Sequence, residues 1–210
     1  FSGAVGRVEG TPANGKIATV TDSDGRFVGR GFFSAASQIA VRLFSWKPDE
    51  AIDEAFWKAR LAAALRLRTE TLGLPKRTDA YRLIYSDSDL LPGLIVDRYA
   101  GWLVCQFQSA GMLGLREMVL DFLSEQLKPS GILDRGDEET LEKEGIAAIS
   151  STLRGEPPAG PIEIQTDGLR FLADLAGGHK TGFFLDQREN RLAAAEYLKG
   201  RMVLDAFSYT

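Results

Sequence analysis

At Pro48 the spacing of apolar residues switches from strand-like alternation to helical periodicity, which excludes any single uniform architecture for this 210-residue chain. Before that point, short apolar runs at 16–20, 26–30 and 39–44 are separated by turn signals. Asn14-Gly15 and Asp24-Gly25 are strong hairpin dipeptides, because both favour the positive φ that a type I′ turn requires. Strands at this spacing predict a small barrel or sandwich over residues 1–48. After Pro48, the residues Ile52, Phe56, Ala59, Ala63 and Leu67 fall on one helical stripe. Asp49 and Glu50 would occupy the first turn and Arg66 and Arg68 the last, with Gly73-Leu74-Pro75 as the stop. Residues 49–75 therefore read as a connecting helix.

Residues 76–160 mix the two periods. Strands are predicted at 81–85, 93–99 and 102–108, the last two joined across Ala100-Gly101. A helix over 113–127 carries Leu115, Val119, Phe122 and Leu123 on one face, a strand follows at Ile132-Leu133, and 138–144 reads as a short, exposed charged helix. The Gly- and Pro-rich stretch 155–161 reads as a linker. Beyond it, strands at 162–165 and 169–173 flank Thr166-Asp167-Gly168, and a glycine-rich loop spans 177–182. A helix over 187–198 has Asp186 and Glu189 spaced as a capping box and Gly200 as its C′ residue. Residues 201–207 alternate and predict a strand. The fold class is thus α+β and multi-domain: a β-barrel unit at 1–48, a middle α/β unit at 76–160, and at 161–210 the opening of a Rossmann-like unit. The start at Phe1 and the end at Thr210, just after that strand, suggest a chain cut inside a larger protein.

Composition removes several function classes. With 25 Lys and Arg against 29 Asp and Glu the net charge is −4, which argues against a whole-surface nucleic-acid binder, so any RNA contact is a local patch. No apolar run nears the roughly 20 residues of a membrane span, and no secretion signal is visible. The single cysteine, Cys105, lies mid-strand; it forms no internal disulfide, fits a reducing cytoplasm and reads as a small buried hydrophobe. His179 is the only histidine, so no histidine-based metal cluster or Ser-His-Asp triad is available. Ser86-Asp87-Ser88-Asp89 lacks the spacing of a calcium loop and reads as a polar turn, and Asp137-Glu138-Glu139 as a solvated face.

An acidic residue near the end of an apolar strand, as in Met202-Val203-Leu204-Asp205-Ala206-Phe207, is how Rossmann-like sheets open a nucleotide site, although on its own the pattern is weak. Together with Gly178-His179-Lys180-Thr181-Gly182-Phe183-Phe184-Leu185-Asp186-Gln187-Arg188 and the closing Phe207-Ser208-Tyr209-Thr210, it resembles the PUA-domain 23S ribosomal RNA cytosine-C5 methyltransferases. Gly29-Arg30-Gly31, Ser34 to Ile39 with Arg42, and Leu91-Pro92-Gly93-Leu94-Ile95-Val96-Asp97-Arg98 resemble the same family in the same order. The resemblance implies a PUA-like RNA-binding barrel, a middle α/β domain and the beginning of a class I methyltransferase domain using S-adenosylmethionine. It implies that Lys180, Gln187, Arg188, Asp205, Phe207, Ser208, Tyr209 and Thr210 bind the cofactor, with the Arg188 guanidinium suited to its carboxylate. Asp186 and Glu189 are better read as helix caps, and Lys180 and Thr181 either as cofactor or RNA-phosphate contacts or as part of a plain glycine loop with a solvated lysine. Arg30, Ser37 and Arg42 are the candidates for RNA contact, Arg42 on the expectation that it points outward from its strand. The family's catalytic cysteine has no counterpart in this chain, and Cys105 does not take that role. The implied activity is 5-methylcytosine formation in large-subunit ribosomal RNA by a cytoplasmic enzyme without a metal or a membrane partner, and a homodimer is a candidate assembly. A non-catalytic RNA-binding module and a methyltransferase with another target are the alternatives.

Overall fold

The structure, a computed structural model, describes residues 1–147 and 151–206. Strands β1 (Ile17–Thr21), β2 (Phe27–Phe33) and β3 (Val41–Ser45) form an antiparallel sheet in that order. Asp24-Gly25 lies in the β1–β2 hairpin, but only Gly25 takes positive φ (+80°), so the type I′ turn is not made. Instead Asp22 Oδ1 accepts from the amides of Asp24 and Arg26, each at 2.9 Å, and holds a wider loop. Asn14-Gly15 turns the chain into β1 and joins no strand pair. The expected barrel is not closed among the described residues, because nothing pairs β1 with β3.

Helix α1 (Glu54–Arg66) begins at Asp53, whose side chain accepts from the Phe56 amide at 2.9 Å. Asp49 and Glu50 therefore precede the helix and do not form its first turn. The buried face also differs from the expected stripe: Trp57, Leu61, Ala64 and Leu65 go inside, while Ala59, Ala63 and Leu67 are exposed. Gly73, at φ +60°, ends the segment as expected.

The five-stranded sheet runs β4 (Ala80–Tyr85), β5 (Leu94–Tyr99), β6 (Trp102–Phe107), β7 (Gly131–Asp134), β8 (Thr152–Gly155). Only β6 and β7 are parallel, and the crossover that parallel strands require is supplied by α2 (Ala110–Leu113) and α3 (Arg116–Leu127). Ser109 caps α2 by accepting from the Met112 amide at 3.3 Å. The charged segment forms α4 (Glu138–Lys143), but it is not solvated throughout: Leu141 is buried and so is Glu144 just beyond it. Strand β8, four residues with no buried side chain beside the Gly- and Pro-rich stretch, gave no sequence signal. Strands β9 (Ile162–Thr166) and β10 (Leu169–Ala173) form the expected hairpin, with Asp167 (φ +48°) and Gly168 (φ +83°) both left-handed as a type I′ turn demands. Helix α5 (Arg188–Leu198) ends at Gly200 with φ +69°. Residues 201–206 form no strand, since none of the described strands lies alongside to hydrogen-bond with them.

Alternation along β5 and β6 sorts side chains onto two faces. Leu94, Val96, Leu103 and Cys105 join one core with α1, α3 and the aromatics Phe32, Phe44 and Trp57. Phe32 stacks on Trp57 with ring centroids 5.3 Å apart, and a Cβ on Gly111 would sit 2.1 Å from the Phe32 ring, so the α2 backbone lies directly against the small sheet. Tyr99 and Val104 face the other way, into a second core with Ile162, Ile164, Ala173, Leu175 and Phe183.

Candidate functional site

The glycine-rich loop closes the second core. Asp174 opens it: its Oδ1 accepts from the amides of Ala176 and Gly177, each at 3.0 Å, and these bonds hold its carboxyl below the usual aspartate range. A Cβ on Gly178 would lie 2.4 Å from the Asp174 carbonyl, so only glycine permits this closure. From beneath, Arg135 donates to the carbonyls of Leu175 (2.9 Å) and Gly178 (3.0 Å). At the far end Thr181 Oγ1 lies 2.6 Å from Asp97 Oδ2 and 2.7 Å from the Tyr99 hydroxyl. Asp97 is fully buried and receives Arg82 in a bidentate grip, Nε at 2.8 Å and Nη2 at 2.9 Å. The hydrogen bond from Arg82 to Asp97 raises the arginine pKa further, while burial, then the Asp97 charge, push the Tyr99 phenol well up, so Tyr99 stays protonated. Asp97 and Arg82 were not singled out in the sequence as site residues; Asp97 lay inside a recognised motif, but its partner Thr181 is 84 residues away.

The cofactor candidates are distributed unevenly. Lys180, at φ +55°, extends from the loop to Asp186 (3.0 Å) and over the Phe184 ring (4.7 Å). The capping box therefore does not form: Asp186 is taken by Lys180, Gln187 stands at the N-cap of α5 without a side-chain cap bond, and its side chain accepts from Asn190. Arg188 is mostly buried between Asp167 (3.7 Å) and Glu189 (2.6 Å), and its Nη1 is buried without a hydrogen-bond partner among the described residues. That orphaned donor suits a carboxylate, so the residues present fit the amino-acid end of S-adenosylmethionine. Asp205 is exposed, beyond α5. Phe207, Ser208, Tyr209 and Thr210 lie outside the described residues.

The RNA candidates are mostly committed internally. Arg30 Nη2 donates to the backbone carbonyls of Lys47 (3.1 Å), Pro48 (3.2 Å) and Glu50, clamping the chain between β3 and α1. Arg42 does not point outward as expected. Opposite Phe32 in the sheet register, it reaches Glu144 at 2.7 Å, and the Glu144 side chain is 2% exposed. A buried carboxylate draws the guanidinium inward because it would otherwise remain unpaired. Ser37 is half-buried and its Oγ accepts from the Ile39 amide at 3.2 Å. Cys105 is fully buried, and desolvation pushes its thiol well above the usual range, which removes it as a nucleophile. Ser86 to Asp89 form a single 3-10 turn in which Asp89 pairs with Arg68.

Residues 1–46 match the PUA-like domain family. Over all 210 residues the chain is 43% identical to ribosomal RNA large subunit methyltransferase I of Shewanella amazonensis. The chain spans about half the length of the curated relatives it matches, 53% in that case. Among solved structures, a candidate S-adenosylmethionine-dependent methyltransferase from Streptococcus mutans superposes with a TM-score of 0.70 at 18% identity, covering 87% of this chain and 46% of that one. A candidate methyltransferase complexed with S-adenosylhomocysteine gives 0.71 at 19% identity, covering 86% of this chain and 45% of that one. At these identities the two structures establish a shared fold. No described helix is long and apolar enough to cross a membrane.

Proposed function

We propose that this chain belongs to an S-adenosylmethionine-dependent methyltransferase of large-subunit ribosomal RNA, forming 5-methylcytosine. The observation that carries the reading is the 43% identity, sustained from end to end of the chain, to a protein named as a ribosomal RNA large subunit methyltransferase. The site is consistent with it: Arg188, at the start of α5, keeps a buried Nη1 donor that no described residue satisfies, and the segment that the sequence marks as a nucleotide site follows that helix in the chain. In this reading Arg188, Gln187, Lys180 and Asp205, with Phe207 to Thr210, hold the cofactor, which supplies an activated methyl group. Arg188 orients the carboxylate and the closed loop keeps water from its buried base. Residues 1–46 would supply the RNA grip, and a ribosomal substrate places the enzyme in the cytoplasm. In this reading Cys105, sealed in the core, is not the cysteine that attacks cytosine.

The test is methyl transfer from labelled S-adenosylmethionine to unmodified large-subunit ribosomal RNA by the protein expressed from its whole reading frame. Label recovered as 5-methylcytidine supports the reading. Label in another nucleoside would replace the target base, and binding without transfer would leave the RNA-binding module as the function.

A further inference from the structure

The arrangement around Asp97 goes further than holding the loop in place. Thr181 has one hydroxyl proton and is 2% exposed. With the Asp97 carboxylate at 2.6 Å, that proton goes to Oδ2, since a carboxylate can only accept. The Tyr99 hydroxyl, 2.7 Å from Thr181 Oγ1, must then be the donor to it, with the Phe183 carbonyl at 3.3 Å as its secondary acceptor. The chain of bonds thus has one direction, Tyr99 to Thr181 to Asp97, and Arg82 closes it from the other side at 2.8 and 2.9 Å. Each member has its partners. Arg82 and Asp97 are cross-strand neighbours on β4 and β5, so the fixed end of this chain is rigid sheet. The other end is the loop residue directly after Lys180, which itself sits in a left-handed conformation that L-residues rarely adopt.

We propose that Asp97 and Thr181 form a latch by which the five-stranded sheet positions the 177–182 loop for the cofactor. Resting on the cofactor reading given above, this makes Asp97, Tyr99 and Arg82 positioning residues: none contacts the ligand, and together they hold the loop and the Lys180–Asp186 pair in the binding-competent geometry. A buried polar chain of this kind selects one geometry, whereas an apolar plug of equal volume would supply stability without direction.

The experiment compares Thr181→Val, which keeps the volume and removes the hydroxyl, with Thr181→Ser, which keeps the hydroxyl. Calorimetric titration of S-adenosylhomocysteine into the protein expressed from its whole reading frame should show Thr181→Val weakened roughly tenfold, or about 1.4 kcal/mol, and Thr181→Ser within about twofold of the parent. Without ligand, amide exchange across 178–183 should quicken about tenfold in Thr181→Val and stay unchanged across 162–166. Tyr99→Phe, which removes only the first donor, should weaken binding by about threefold and covers the case in which Thr181→Val fails to fold. Parent-like affinity and exchange in both Thr181→Val and Tyr99→Phe would overturn the latch and leave the cofactor reading standing. A parent protein that does not bind S-adenosylhomocysteine would overturn both.

Discussion

On one face of the five-stranded sheet, Leu83, Leu94, Val96 and Leu103 meet α1 and α3 through side chains that have no polar atom to satisfy. On the other, Asp97 and Tyr99 meet Thr181 of the glycine loop at 2.6 and 2.7 Å, with Arg82 bound to Asp97 behind them at 2.8 and 2.9 Å, set beside apolar contacts. The same strands build both. The first face gains from burial, which scales with area and tolerates exchange of one hydrocarbon shape for another. The second gains less per contact but specifies where the loop lies, because hydrogen bonds depend on direction as well as distance. Bulk stability and site geometry are thus assigned to opposite sides of one sheet.

That assignment can be broken experimentally. The largest effect should come from the apolar face: Leu120→Ala, at a fully buried position, should cost about 3–4 kcal/mol, read as a fall in urea midpoint with unchanged m. Arg42→Ala comes next at about 2–3 kcal/mol, because it leaves the buried Glu144 carboxylate unpaired. A loss below about 0.5 kcal/mol, as expected of an exposed arginine, would instead return Arg42 to the surface.

A carboxyl on the apolar side offers a sharper test. Asp134 pairs with Cys105 in the register and lies among Phe107, Leu113, Leu141 and Ile146. Burial raises its pKa to about 6, although the Gly136 amide opposes the shift. A folded-state pKa above the unfolded value of about 3.9 means that the native state holds the proton more tightly. Stability is then full below about pH 4 and falls as pH rises through 6, by an amount on the order of 2–3 kcal/mol. Asp134→Asn should flatten that decline when urea midpoints are compared at pH 4.5 and 7.5, and a persisting slope would assign it to another group. On the polar face, Asp97→Asn should cost only about 1–2 kcal/mol, since Arg82 is a third exposed and water can replace part of its partner. Arg26→Ala, in an exposed pair with Asp24, should change stability by less than about 0.5 kcal/mol in the same assay.

Local chemistry made much of this legible in the sequence. Asp167-Gly168 marked its hairpin, Gly73 and Gly200 marked helix ends, and alternation located β5 and β6, because each depends on residues close in the chain. The face of α1 was misread because alanines at 55, 59, 62, 63 and 64 fit either side, and the choice was made by Trp57 finding Phe32 and Phe44. Arg42 was misread for a similar reason: its partner lies 102 residues away and on another element. Within the site, the Lys180 loop was visible as a motif, but what holds it was not, since Asp97 and Thr181 meet only after the hairpin folds onto the sheet. The remaining four residues of the motif, Phe207 to Thr210, lie outside the described residues.

The burial of Cys105 has a practical corollary. With its thiol enclosed in the core and held protonated, these 210 residues are silent toward alkylating reagents while the protein is folded. Any thiol that iodoacetamide modifies in the native protein expressed from its whole reading frame is therefore not Cys105. A mass-spectrometric map of alkylated peptides should therefore leave the Cys105 peptide unlabelled in the folded protein and label it once urea opens the core.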